Sequence, residues 1–182
     1  MQRKAGLYGP GLVALGLNPT RLILGLLPDA TALLRAGVDA LRCAGWGAVV
    51  LELGGNPAPL DLTASRRLAL AAGASGVTPL LVRTHNARPA PSAAQTRWQV
   101  TTAPSPALEA NAPGYPTLTL ALLRQRGGVA GLDWTVEWNR DAGCFRPAAF
   151  PGTRFPLSGG RSRPSSEQAD SGSEDAGWRI AI

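Results

Sequence analysis

The apolar run Ala48–Leu53 (AVVLEL) carries Glu52 next to its end, beside Gly54 and Gly55. A carboxylate there would lie near the C-terminal edge of a central parallel strand, where α/β proteins place their ligands. This resembles a Walker B strand, whose acid acts on Mg²⁺ or water in nucleotide hydrolases, but that chemistry needs a loop GxxxxGK[ST] whose amides and Lys hold the phosphates. The sequence has no such loop, and its single Lys, Lys4, is followed by AGLYGPG. Glu52 is therefore a Walker B-like position for which no cofactor is expected. His85 could serve as a base, yet no Ser or Cys with a supporting elbow or companion acid accompanies it. The eight acids before residue 151 are scattered, with no spacing that pairs two carboxylates for acid and base work. Cys43 and Cys144 form no CxxC pair, and with one histidine they complete no metal set; two buried, reduced thiols are expected. No catalytic residue, metal or cofactor is expected, so the protein is read as a non-enzyme.

Basic side chains offer more. Lys and Arg exceed Asp and Glu by 18 to 12, and the segment from Pro151 onward holds four of each, so the net charge of +6 belongs to residues 1–150. All but one of these cations are Arg, which suits planar contacts to phosphate or carboxylate. Arg83, Arg88 and Arg97 flank a Pro- and Ala-rich loop, with Gln95 and Trp98 nearby, and basic loops with an aromatic neighbour can contact single-stranded DNA. Arg66 and Arg67 are adjacent on a helical segment, about 100° apart, so at least one faces solvent and both are candidate partner contacts.

The elements that must position these residues follow from apolar periodicity. With 45% hydrophobic and 16% charged residues among 182, the chain has a globular composition, which excludes a fully disordered chain or a fibre. No apolar run approaches the roughly 20 residues of a membrane span, and the N-terminus lacks the apolar stretch of a secretory signal, so a soluble, cytoplasmic protein without a membrane partner is expected. Short apolar runs alternate with helical periods, the pattern of an α/β protein. Arg21–Leu27 reads as a buried strand. Asp29 caps a helix to about Ala44, with Leu34, Val38 and Leu41 on one face. Ala48–Leu53 is the next strand; Asp61 caps a second helix that ends at Gly76; Thr78–Arg83 is a third strand. The expected core is a parallel β-α-β-α-β sheet with right-handed crossovers. Thr96–Thr102, Thr117–Arg124 and Leu132–Asn139 extend it as antiparallel strands, the last placing Trp134 and Trp138 on one core-facing side. Residues 1–150 form the folded domain. Residues 151–182 form a Gly-, Ser- and Pro-rich tail expected to be disordered, whose last five residues (WRIAI) regain apolar character and are candidates for a docking peptide.

Taken together, GLYGPGLVALGLNPTRLIL, AVVLEL, LDLTASRRLALAAGASGVTPLLVR, SAAQTRWQV and LDWTVEWN resemble segments of the ImuA family over about residues 6–140. LDLTASRRLALAA is the most specific part. The resemblance implies a bacterial SOS-response accessory factor for error-prone translesion DNA synthesis, related to RecA and to the cell-division inhibitor SulA. It implies a RecA-like core with AVVLEL as the Walker B-type strand and the loop around His85–Ala94 where RecA proteins carry a DNA-binding loop. It also implies action with the polymerase-like protein ImuB and an error-prone C-family polymerase, with RecA as a further candidate partner. Family members have an upstream first strand and phosphate loop, so this sequence is expected to be a short form lacking both. The same superfamily implies an alternative: a SulA-like inhibitor binding the division GTPase.

Overall fold

Asp29 and Asp61 start the two main helices by accepting hydrogen bonds from exposed amides of the first turn, Ala32 N at 2.8 Å and Ala64 N at 2.7 Å. The structure is a computed structural model that describes residues 7–84, 88–148 and 178–181. In chain order its elements are α1 (Gly9–Ala14), α2 (Ala30–Leu41), β1 (Ala48–Gly54), α3 (Leu62–Ser75), β2 (Thr78–Thr84), β3 (Thr96–Thr102), β4 (Thr117–Gln125), β5 (Leu132–Asn139), β6 (Cys144–Pro147) and β7 (Trp178–Ala181). Gly76 ends α3 at φ 76°, a left-handed conformation that glycine adopts without a Cβ penalty, and its N–H donates to the Ala72 carbonyl.

The strands form one sheet in the order β1-β2-β7-β3-β4-β5-β6. Among the described residues only β1 and β2 are parallel, joined through α3; every other neighbouring pair is antiparallel. The protein is thus α/β, with a short parallel part extended by antiparallel strands. α2 and α3 pack on the parallel part, where Leu34 and Leu41 of α2, Leu51 and Leu53 of β1, and Leu68 of α3 are buried together. This is the apolar face anticipated for α2, although the helix ends at Leu41 rather than near Ala44. A second packed region lies at the far end of the sheet. There Trp138 meets Phe145 edge-on at 4.9 Å and donates from Nε1 to the Ala14 carbonyl of α1. Glu137, buried on β5, pairs with Arg146 of β6, whose guanidinium lies over the Tyr115 ring.

Four expectations are corrected. Arg21–Leu27 is not a buried strand: Arg21 closes a 3-10 turn, and Leu22–Leu27 have no sheet partner among the described residues, with Ile23 75% and Leu26 78% exposed. An apolar run specifies a strand only where a neighbour supplies ladder hydrogen bonds, and Gly25 and Pro28 weaken this one further. Trp178–Ala181 do not belong to a featureless tail. They pair as β7 with β2 on one side and β3 on the other. Cys43 and Cys144 are exposed rather than buried, because one lies past the end of α2 and the other opens β6 at the sheet edge. Trp134 stacks obliquely on Trp98 at 5.5 Å but stays 39% exposed, so of the two tryptophans of β5 only Trp138 is buried. His85 and residues 149–177 lie outside the described residues. Among the described residues no helix is long and apolar enough to cross a membrane.

Candidate functional site

The loop after β2 is where the anticipated DNA-contacting arginines meet. Arg83, at the end of β2, donates to the Gly55 carbonyl at 2.7 Å, to Asn56 Oδ1, and to the Arg88 carbonyl at 3.1 Å. Arg97, at the start of β3, donates to Ser92 Oγ at 3.0 Å and to the Ala90 carbonyl. Opposite Arg97 in the β3–β4 register stands Arg124, which donates to the carbonyls of Ser92 at 2.9 Å and Ala94 at 2.6 Å. From α3, buried Ser65 accepts from Ala93 N at 3.1 Å while its hydroxyl donates to the Leu62 carbonyl. Three guanidinium groups and one hydroxyl therefore hold the loop's backbone, a use of Arg that its planar fork of five donors suits.

This changes the division of labour among the candidates. Arg83 and Arg97 are half-buried and brace the loop, whereas Arg88 is exposed on it. Arg126, exposed just beyond β4, belongs to the same area because its backbone N–H donates to the Gln95 carbonyl at 2.8 Å. The sequence reading missed Arg124 and Arg126, since only the β3–β4 register brings them beside the loop. Period-two alternation in TLTLALLR gives the one usable hint, as it sets the side on which Arg124 falls.

Glu52 is exposed on β1, opposite Val82 in the register and one residue before the strand's closing pair Leu53–Gly54. Gly55, which follows, has φ 60° and donates its N–H to the Thr84 carbonyl. The structure thus places Glu52 at the end of the parallel pair, but on a strand at the edge of the sheet rather than on the central strand expected, because among the described residues no strand pairs with the other side of β1. Among the described residues no group of His, Cys, Asp and Glu is arranged to hold a metal ion.

Arg66 and Arg67 are both exposed on α3, and the structure separates them. Arg67 lines a groove between α2 and α3 of about 480 Å³, together with Arg35 and Arg42 of α2. The spacing Arg35, Asp39, Arg42 is the sequence signal for this face, because residues four and seven apart share one side of a helix. That α3 lies alongside is not visible before folding.

Comparison with known proteins adds a similarity. Two proteins of Caulobacter vibrioides, from strain NA1000 / CB15N and strain ATCC 19089 / CIP 103742 / CB 15, are both named Protein ImuA and are each 38% identical to this chain over 152 residues. The matched region is 74% of this chain. Over these 152 residues the chain is similar to the ImuA proteins. It spans 57% of the length of these ImuA relatives. No family model matches the chain, and no solved structure matches it.

Proposed function

We propose that this chain is a non-catalytic accessory protein of SOS-induced, error-prone translesion DNA synthesis, acting with an ImuB-like polymerase-fold partner and an error-prone C-family polymerase. The observation that carries the reading is the 38% identity to Protein ImuA across 74% of the chain. The basic charge of residues 1–150 is compatible with work near DNA. In this reading Arg88 meets phosphate on single-stranded DNA directly, and Arg83 and Arg97 keep the loop in shape. RecA is a further partner in damaged cells.

Deleting the gene in its host and counting damage-induced mutants tests the proposal. The expected result is a loss of induced mutagenesis that the intact chain restores. Undiminished mutagenesis in the deletion strain would overturn it. A tagged chain recovered from damaged cells should bring down the ImuB-like protein. For the DNA contact, affinity for a labelled oligonucleotide should fall steeply with salt, and Arg88→Ala should reduce that slope by about one unit.

A further inference from the structure

The groove between α2 and α3 is built unlike the loop after β2. Its arginines are not turned onto backbone carbonyls: Arg35 and Arg67 are exposed and, among the described residues, take part in no ion pair. The one acid on its wall, Asp39, is bound to Arg42 at 3.2 Å, and both partners are exposed. Among the described residues two cations are thus left uncompensated beside a lining that includes buried Leu34 and half-buried Val38. Because both walls are helices whose first turns are capped by aspartate, the groove stands on rigid elements rather than on a loop.

We propose that this groove is a docking site for an acidic segment of a partner protein, one in which carboxylates flank one or two aliphatic side chains. The inference rests on the accessory-protein reading for the existence of a partner and goes beyond it in naming the surface and the chemistry. Charge complementarity selects the carboxylates: Arg35 and Arg67 on opposite walls can each take one, with the bidentate geometry that guanidinium offers. The apolar lining selects the aliphatic anchor, and about 480 Å³ suits a few side chains of a peptide. Nucleic acid fits less well, since among the described residues no aromatic side chain lines the groove to stack a base.

The test uses the full chain and a set of fluorescein-labelled peptides in which two leucines, spaced one to four positions apart, sit in a run of glutamates. At low salt at least one spacing should bind by fluorescence anisotropy, and a matched lysine-leucine peptide should not. The double substitution Arg35→Ala/Arg67→Ala should weaken binding at least tenfold. Thr31→Tyr, which narrows the groove at an exposed lining residue without altering charge, should weaken it comparably. Arg21→Ala/Arg140→Ala removes two exposed charges elsewhere and should leave it unchanged. Far-UV circular dichroism establishes that each variant is folded. Absence of binding by every acidic peptide, or binding that survives both groove variants, would overturn the proposal. So would a single-stranded oligonucleotide that displaces the peptide and itself depends on Arg35 and Arg67. Since the probes are synthetic, groove-dependent binding by a chain dispensable for mutagenesis would sink the accessory reading and leave the groove standing.

Discussion

Two glycines in the helices make one substitution act in opposite directions. Gly→Ala in a helix interior ordinarily stabilises by about 0.5–1 kcal/mol, because alanine loses less backbone entropy on folding. At Gly73 of α3 a Cβ would meet nothing within 4 Å, so the ordinary gain is expected. At Gly37 of α2 the same Cβ would lie 2.7 Å from Leu51 Cδ1 and 2.8 Å from Cδ2. Leu51 is only 4% exposed and is hemmed in by the shared core of α2, β1 and α3, so neither methyl can simply swing aside. Overpacking of this kind costs about 1–3 kcal/mol, which outweighs the propensity gain and leaves Gly37→Ala destabilised by about 1 kcal/mol. The two variants should therefore differ by roughly 2 kcal/mol, or about 4–8 °C in Tm for a domain of this size. Urea unfolding followed by far-UV circular dichroism measures the difference as separated midpoints at a common slope. A Gly37→Ala chain as stable as Gly73→Ala would refute the reasoning. Leu51→Val, placed in both backgrounds, localises the strain: it should be better tolerated beside Ala at 37 than beside Gly.

Asp61→Ala removes the acceptor for Ala64 N and should cost about 1 kcal/mol in the same urea assay, while Asp61→Asn should cost less. Ser65→Ala leaves the buried Ala93 N–H without its acceptor; a loss of about 1–3 kcal/mol is expected, with faster hydrogen exchange in residues 88–95. Glu137→Ala takes the carboxylate from Arg146 across β5 and β6. Arg146 is 48% exposed and can turn to water, so the expected loss, about 1–2 kcal/mol by thermal unfolding, falls short of that for a fully buried pair.

What could be read before folding was what neighbours in sequence decide. Asp29, Asp61 and Gly76 announce helix ends because a cap needs only the next few residues. The alternation in LDWTVEWN announces β5, since its period is local. Leu22–Leu27 misled because apolar content states a wish for burial without naming the strand that would grant it. Sequence spacing puts Arg83 and Arg97 at the two ends of one loop, but whether a guanidinium faces solvent or a carbonyl depends on the path of the loop backbone. The groove was half legible: the face Arg35–Asp39–Arg42 follows from helical spacing, and Arg67 joins it only once α2 and α3 lie side by side.

The place of β7 has a consequence for how the chain reaches this sheet. It is last of the strands in chain order and yet stands near the middle, between β2 and β3. The β1–α3–β2 unit and the β3–β4–β5–β6 meander can each assemble from contacts close in sequence. Joining them must wait for residues about a hundred positions downstream of β2. Loop closure of that length comes at an entropic cost before any new contact repays it, so closure of the sheet should form a distinct, slow, late folding phase. Until then β2 and β3 each present an open edge, and the unjoined halves are the species most exposed to pairing with the wrong chain.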